Sequence, residues 1–156
     1  MSLAPFPSRR LTRRGLLARI ASCLALPWLC GVAWAARPQR AFAAEEVATV
    51  LRELYGRDNI AESDQIRIGV AKLAENGAVV PVKVDVDLPH VDEITLVAAR
   101  NPVPLVGRFT FGPRTRPFVA TRIKLAETGE ILAIARRGEE LLLARATVEV
   151  TVGGCG

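Results

Sequence analysis

The sequence predicts a mainly β protein, an antiparallel sandwich entered through one short helix and left through a flexible C-terminal arm. Three observations carry that expectation. Between Asp64 and Val152 apolar residues recur with period two; glycine and proline turn signals divide them into seven short runs; and helical spacing is strongest over Val47 to Tyr55. The chain has 156 residues and is 50% hydrophobic. That suffices for one ordinary domain with an extension and for a packed core, but leaves little room for a large catalytic cleft.

Val47, Val50, Leu51, Leu54 and Tyr55 fall at i, i+3, i+4, i+7 and i+8, which sets one apolar stripe on a helix. Glu45 and Glu46 suit its positive end and Gly56 its stop. The stripe reads as core packing. Ile66, Ile68 and Val70 then alternate, Asn76-Gly77 signals a turn, and Val80, Val82, Val84 and Val86 alternate with Pro81, Lys83, Asp85 and Asp87. Further runs cover Ile94 to Ala99, Leu105 to Phe111, Phe118 to Leu125, Ile131 to Ala135 and Leu141 to Val152, punctuated by Asn101-Pro102, Gly112-Pro113, Thr128-Gly129 and Arg137-Gly138. Seven short strands of this kind imply an immunoglobulin-like sandwich. Since this region holds neither a cysteine pair nor a tryptophan, the likeness to antibody domains is one of architecture only. Pro81 inside a strand pattern predicts an edge or a bulge there, and an uncovered edge would suit a heteromeric partner.

The formal charge of +5 suggests nucleic acid until the charges are placed. Residues 1–43 hold seven arginines and no acid, whereas the remainder carries 14 cations against 16 acids. A mildly acidic body lacks the electrostatic footprint of a nucleic-acid binder. The basic stretch to Arg14, the apolar run from Leu16 to Ala36 and the small-residue site Ala41-Phe42-Ala43 read as an export signal over residues 1–43, cleaved after Ala43. Thr12-Arg13-Arg14-Gly15-Leu16-Leu17 resembles a twin-arginine signal, so the expected destination is the periplasm, reached folded, with no membrane attachment after cleavage. A general secretory signal, a lipoprotein box at Ile20 to Cys23 and an uncleaved anchor over Ile20 to Ala36 are the competing readings.

The domains then run 44–152 for the helix and sandwich and 153–156 for the arm. Cys23 and Cys30 fall in the leader, leaving Cys155 as the one thiol downstream. That excludes an internal disulfide after processing, and a lone Cys with a lone His does not support a metal site. Gly153, Gly154 and Gly156 frame Cys155 without side chains, so the thiol has nothing to pack against and rides on a swinging arm. Four extended residues carry it about 13 Å past the last strand. With no His or Lys nearby in sequence, the thiol is expected to be unactivated until an enzyme receives it.

Other residues carry less. His90, in Leu88-Pro89-His90-Val91, could serve a Cys–His pair in a thiol hydrolase, but a loop histidine beside a proline reads as solvated. Arg114 with Arg116, and Arg136 with Arg137, read as solvated turn charges. Asp85 and Asp87 share a strand face without the further oxygens calcium needs.

Four segments, Ala74-Glu75-Asn76-Gly77-Ala78-Val79-Val80-Pro81-Val82, Asn101-Pro102-Val103-Pro104-Leu105, Pro117 to Thr128 and the ending Gly153-Gly154-Cys155-Gly156, together resemble the SoxY family, sulfur carriers of the periplasmic thiosulfate-oxidising Sox system. The resemblance implies that Cys155 holds sulfur intermediates covalently while separate enzymes work on them. The chain itself would then be neither an enzyme nor a cofactor protein. It further implies a heteromer with a SoxZ-like sandwich subunit, and as partners a haem-containing enzyme that couples thiosulfate to the thiol, a sulfate-releasing hydrolase and a sulfur dehydrogenase. The usual family ending has one more glycine, so the carboxylate here lies nearer the sulfur. The alternative is a periplasmic binding or assembly module whose Cys155 forms an intermolecular disulfide.

Overall fold

The structure, a computed structural model, describes residues 38–151. The expected leader up to Arg37, and Val152 with the expected arm of Gly153, Gly154, Cys155 and Gly156, lie outside the described residues.

Among the described residues two helices come first, α1 (Gln39–Ala43) and α2 (Val47–Tyr55). The α2 stripe does pack inward: Val50 and Leu51 are buried, and Val47, Leu54 and Tyr55 are partly so. Gly56 ends the helix in the left-handed region, φ 71°, and its N–H donates to the Arg52 carbonyl at 2.8 Å. α1 lays Ala41 into the same apolar cluster as α2, within the compact unit that starts at Pro38.

Nine strands follow: β1 (Ala61–Glu62), β2 (Ile66–Gly69), β3 (Leu73–Ala74), β4 (Val80–Val86), β5 (Glu93–Ala98), β6 (Leu105–Thr110), β7 (Phe118–Ile123), β8 (Gly129–Arg137) and β9 (Glu140–Val150). One sheet runs β1-β9-β8-β5-β6, with β3 also paired to β9; the other runs β2-β4-β7. The long ladders are all antiparallel. Only the two-residue strands β1 and β3, which periodicity could not reveal, pair parallel, both along β9. The β8–β9 turn places Gly138 in the left-handed region, φ 58°, where a Cβ would be strained.

Alternation decides the layers. Val80, Val82, Val84 and Val86 of β4 and Val119 and Ile123 of β7 face Ile94, Leu96, Ile131 and Ala133 across the sandwich. The opposite face of the larger sheet, with Val97, Leu132, Ile134, Leu141 and Leu143, is covered by α1 and α2. As a result β5 is buried along its whole length, with no face open to solvent. Pro81 sits on the central strand of its sheet, yet β2 stops at Gly69 opposite Lys83, so at Pro81 β4 has a neighbour only in β7. The edge expected there is thus a local one.

Candidate functional site: the root of the C-terminal segment

β9, at eleven residues the longest strand, carries the chain out of the sandwich toward Cys155. Its end is held from both sides. On one side the N–H of Glu149 donates to the Lys72 carbonyl at 2.8 Å and that of Thr151 to the Ala74 carbonyl at 3.1 Å. On the other, the Val150 N–H donates to Thr128 Oγ1 at 2.9 Å, and the same hydroxyl reaches the Val150 carbonyl at 3.5 Å. Thr151, the last described residue, is held by that bond to Ala74, and we call its backbone the root of the C-terminal segment.

Three loops build that root. Asn76 Oδ1 accepts the Ala78 N–H at 2.9 Å, closing a side-chain turn that reverses the chain between β3 and β4. Gly77 is required by close approach: a Cβ there would lie 2.5 Å from the Leu125 carbonyl oxygen and 2.8 Å from Val150 Cγ1. The Leu125 N–H in turn donates to the Gly77 carbonyl at 2.7 Å. From the β5–β6 loop, Asn101 Nδ2 donates to the Lys124 carbonyl at 2.7 Å while its Oδ1 accepts the Ala126 N–H at 2.8 Å. The segments 74–82, 101–105 and 117–128, separate in sequence, thereby meet around the end of β9.

Other residues singled out in the sequence lie elsewhere. His90, exposed at φ 58°, occupies the β4–β5 loop at the far end of the strands from Thr151. Arg116 donates to both carboxylate oxygens of Asp85, at 3.1 and 2.9 Å, and stands 5.9 Å from the Phe118 ring centroid. Asp85 and Asp87 also face Arg67 at 3.7 and 4.0 Å, as structural ion pairs. Arg137 pairs with Glu140, and Arg114 is exposed. Arg136 departs from the solvated reading, for its guanidinium lies 3.6 Å from the buried carboxylate of Glu93.

That carboxylate centres a cluster the sequence reading missed. Glu93 is fully buried at the start of β5 and ion-paired to Arg108; its Oε1 lies 2.9 Å from the Tyr55 hydroxyl, which is 2.7 Å from Thr95 Oγ1. Burial, together with the negative Glu93, pushes the Tyr55 phenol well above its ordinary pKa and keeps it neutral. The cluster fixes α2 to β5 at the end of the sandwich remote from Thr151. One signal was present in the sequence: the run Ile94 to Ala98, interrupted only by Thr95, is too apolar for a strand with one face in water. Among the described residues no His, Cys, Asp or Glu grouping suits a metal ion, and no helix is long and apolar enough to cross a membrane.

Comparison with known proteins bears on the whole of this arrangement. The family described as "Sulfur oxidation protein SoxY" matches residues 51–155, from α2 to the cysteine itself. Among solved structures, the sulfur carrier protein SoxY from Chlorobium limicola f thiosulfatophilum is 32% identical with a TM-score of 0.63, over 72% of this chain and 97% of that one. A superoxide reductase (neelaredoxin) from Ignicoccus hospitalis is 28% identical over 58% of this chain and 83% of that one; its TM-score of 0.48 is too low to carry an argument. No curated protein matches the sequence. With its sandwich, its anchored last strand and a family match that reaches Cys155, the chain belongs to the SoxY family of sulfur oxidation proteins.

Proposed function

We propose that this chain is a non-enzymatic carrier of sulfur intermediates, held covalently on Cys155 and presented to separate enzymes during thiosulfate oxidation. The observation that carries the reading is the family match extending to residue 155, beside a 32% identical sulfur carrier. The anchoring of Thr151 adds a physical reason. A carrier needs a rigid body up to the root of its arm, and the bonds from β3 and Thr128 supply one.

In the loading step thiosulfate joins the Cys155 sulfur through a new S–S bond. The thiol proton would be released and two electrons would leave, one at a time, through the haem of the coupling enzyme to a one-electron acceptor. In the next step water attacks the terminal sulfonate sulfur, its S–S bond breaks, sulfate leaves, and a persulfide stays on Cys155. Glycines 153, 154 and 156 let the cargo turn inside each enzyme. Residues 1–43 deliver the chain to the periplasm by the twin-arginine route, and a SoxZ-like sandwich subunit completes the carrier. Processing after Ala43 would remove α1 from the mature chain.

The test is genetic. Cells whose only copy carries Cys155→Ser, or lacks residues 153–156, are expected to lose thiosulfate oxidation while exporting normal amounts of the protein. Undiminished oxidation in either strain overturns the reading.

A further inference from the structure

The cleavage proposed after Ala43 falls inside the folded domain. Its three recognition residues, Ala41-Phe42-Ala43, are the last three of α1, and the compact unit starts ahead of them at Pro38. Ala41, the third residue before the cut, is 0% exposed, and Ala44, just after it, is 7% exposed. Both belong to the apolar cluster of Val50 and Leu51, against which Phe42 packs half-buried. The Phe42 N–H donates to the Pro38 carbonyl at 3.2 Å, so the backbone entering the site is wound rather than extended. Of the three recognition residues Ala43 alone is exposed.

A peptidase that reads small residues at the first and third positions before the cut must take both side chains into its own pockets, along an extended backbone. Here the Ala41 methyl is already inside the domain, and the residues that follow it are helical. The docked chain therefore does not fit such an enzyme. Yet α1 has only five residues, too few to stand as a helix without the domain beneath it, and a terminal element of this kind opens locally while the sandwich stays folded. We infer that α1 is a strap: docked, it withholds the Ala43–Ala44 bond from signal peptidase, and the precursor is cut only while α1 is off the cluster of Val50 and Leu51. The inference rests on the export reading with its cut after Ala43. The step itself is hydrolysis, in which water adds across the peptide bond to leave a carboxylate on Ala43 and an amine on Ala44. With opening and closing fast, its rate follows the population of the open form. A chain exported folded reaches the peptidase already strapped, so release of α1 sets when the mature protein appears.

The experiment compares the full-length precursor in detergent micelles with the fragment of residues 1–60, which keeps the leader, the site and α2 but has no sheet for α1 to dock on. Purified signal peptidase cuts each, and mass spectrometry follows the products. The fragment is expected to show a kcat/KM at least about tenfold above that of the full-length chain. Two substitutions outside the alanines loosen the strap: Phe42→Ser weakens its docking, and Arg40→Gly, at an exposed position, weakens its helix. Each should speed cleavage of the full-length chain several-fold, leave the fragment's rate unchanged and leave the Tm of the sandwich within a few degrees of the wild type. Equal rates for full-length chain and fragment overturn the strap. So does an Arg40→Gly chain cut at the wild-type rate, or a substitution that speeds both substrates alike, since the enzyme would then be reading the side chain. A fragment cut elsewhere than after Ala43, or not at all, sinks the cleavage reading itself, and the strap with it.

Discussion

Gly77 lies so close to Val150 that a methyl group in place of its hydrogen would stand 2.8 Å from the valine Cγ1, with the Leu125 carbonyl oxygen at 2.5 Å on its other side. A turn in the loop before β4 is thus packed directly against the last turn of pleat before the arm. Neither neighbour can give way cheaply, one being backbone and the other a branched side chain fixed by its strand.

Gly77→Ala should therefore destabilise the protein by about 1–3 kcal/mol, the usual range for overpacking. Urea unfolding checks this. A stability within about 0.5 kcal/mol of the wild type, the range of an ordinary surface change, would contradict the close approach.

Asn101 ties the β5–β6 loop to the loop after β7 through two hydrogen bonds. Asn101→Ala leaves the Lys124 carbonyl and the Ala126 N–H without it, at a cost of about 1–2 kcal/mol. Amide hydrogen exchange should show lost protection at Ala126 and Leu125, and with them at Val150. Unchanged protection at Val150 would mean that the loops do not support the arm root.

Tyr55 is the only tyrosine in the chain, so its ionisation can be read by ultraviolet absorbance without assignment. Its folded pKa is raised, by burial first and by Glu93. A raised folded value means that the neutral phenol stabilises the fold. The contribution is fully present below the unfolded value of about 10 and is lost as pH rises toward the folded one. Tyrosinate absorbance should appear only with unfolding, at a pH well above 10, and Tyr55→Phe should flatten the alkaline loss of stability relative to wild type. A normal titration near pH 10 in the folded protein, about the value of an unperturbed phenol, would contradict the buried geometry.

Glu93 faces both Arg108 and Arg136 from a fully buried position, its one negative charge shared between the two guanidinium groups. Glu93→Gln leaves two guanidinium groups facing a neutral amide, and unfolding should become easier by about 3 kcal/mol. Since the cluster lies at the far end of the strands from Thr151, the reactivity of Cys155 toward a small disulfide reagent should stay the same. A change there would show that the two ends of the sandwich are coupled.

The main frame was legible in the sequence because period-two alternation is a direct record of which face is buried: Val80, Val82, Val84 and Val86 fill the core as the alternation requires. The helix stripe from Val47 to Tyr55 was legible for the same reason at period 3.6. What escaped has no local period. β1 and β3 are two residues each and exist only because β9 offers them an edge. Glu93 drew no notice in the sequence, because Tyr55 of the α2 layer that buries it comes from 38 residues away. Arg136 read as a turn charge for the same cause. At the root, Gly77, Asn101 and Thr128 were visible as turn residues, but their meeting around Val150 is a product of the fold, which no spacing in the sequence encodes.

The central claim is that Cys155 carries the cargo, and the tryptic peptide Ala146 to Gly156 isolates that residue. Mass spectrometry of this peptide from protein taken out of cells oxidising thiosulfate should find thiosulfonate and persulfide forms, absent from cells without thiosulfate. If the peptide carries only free thiol or a disulfide to another protein under both conditions, the chain is not the carrier.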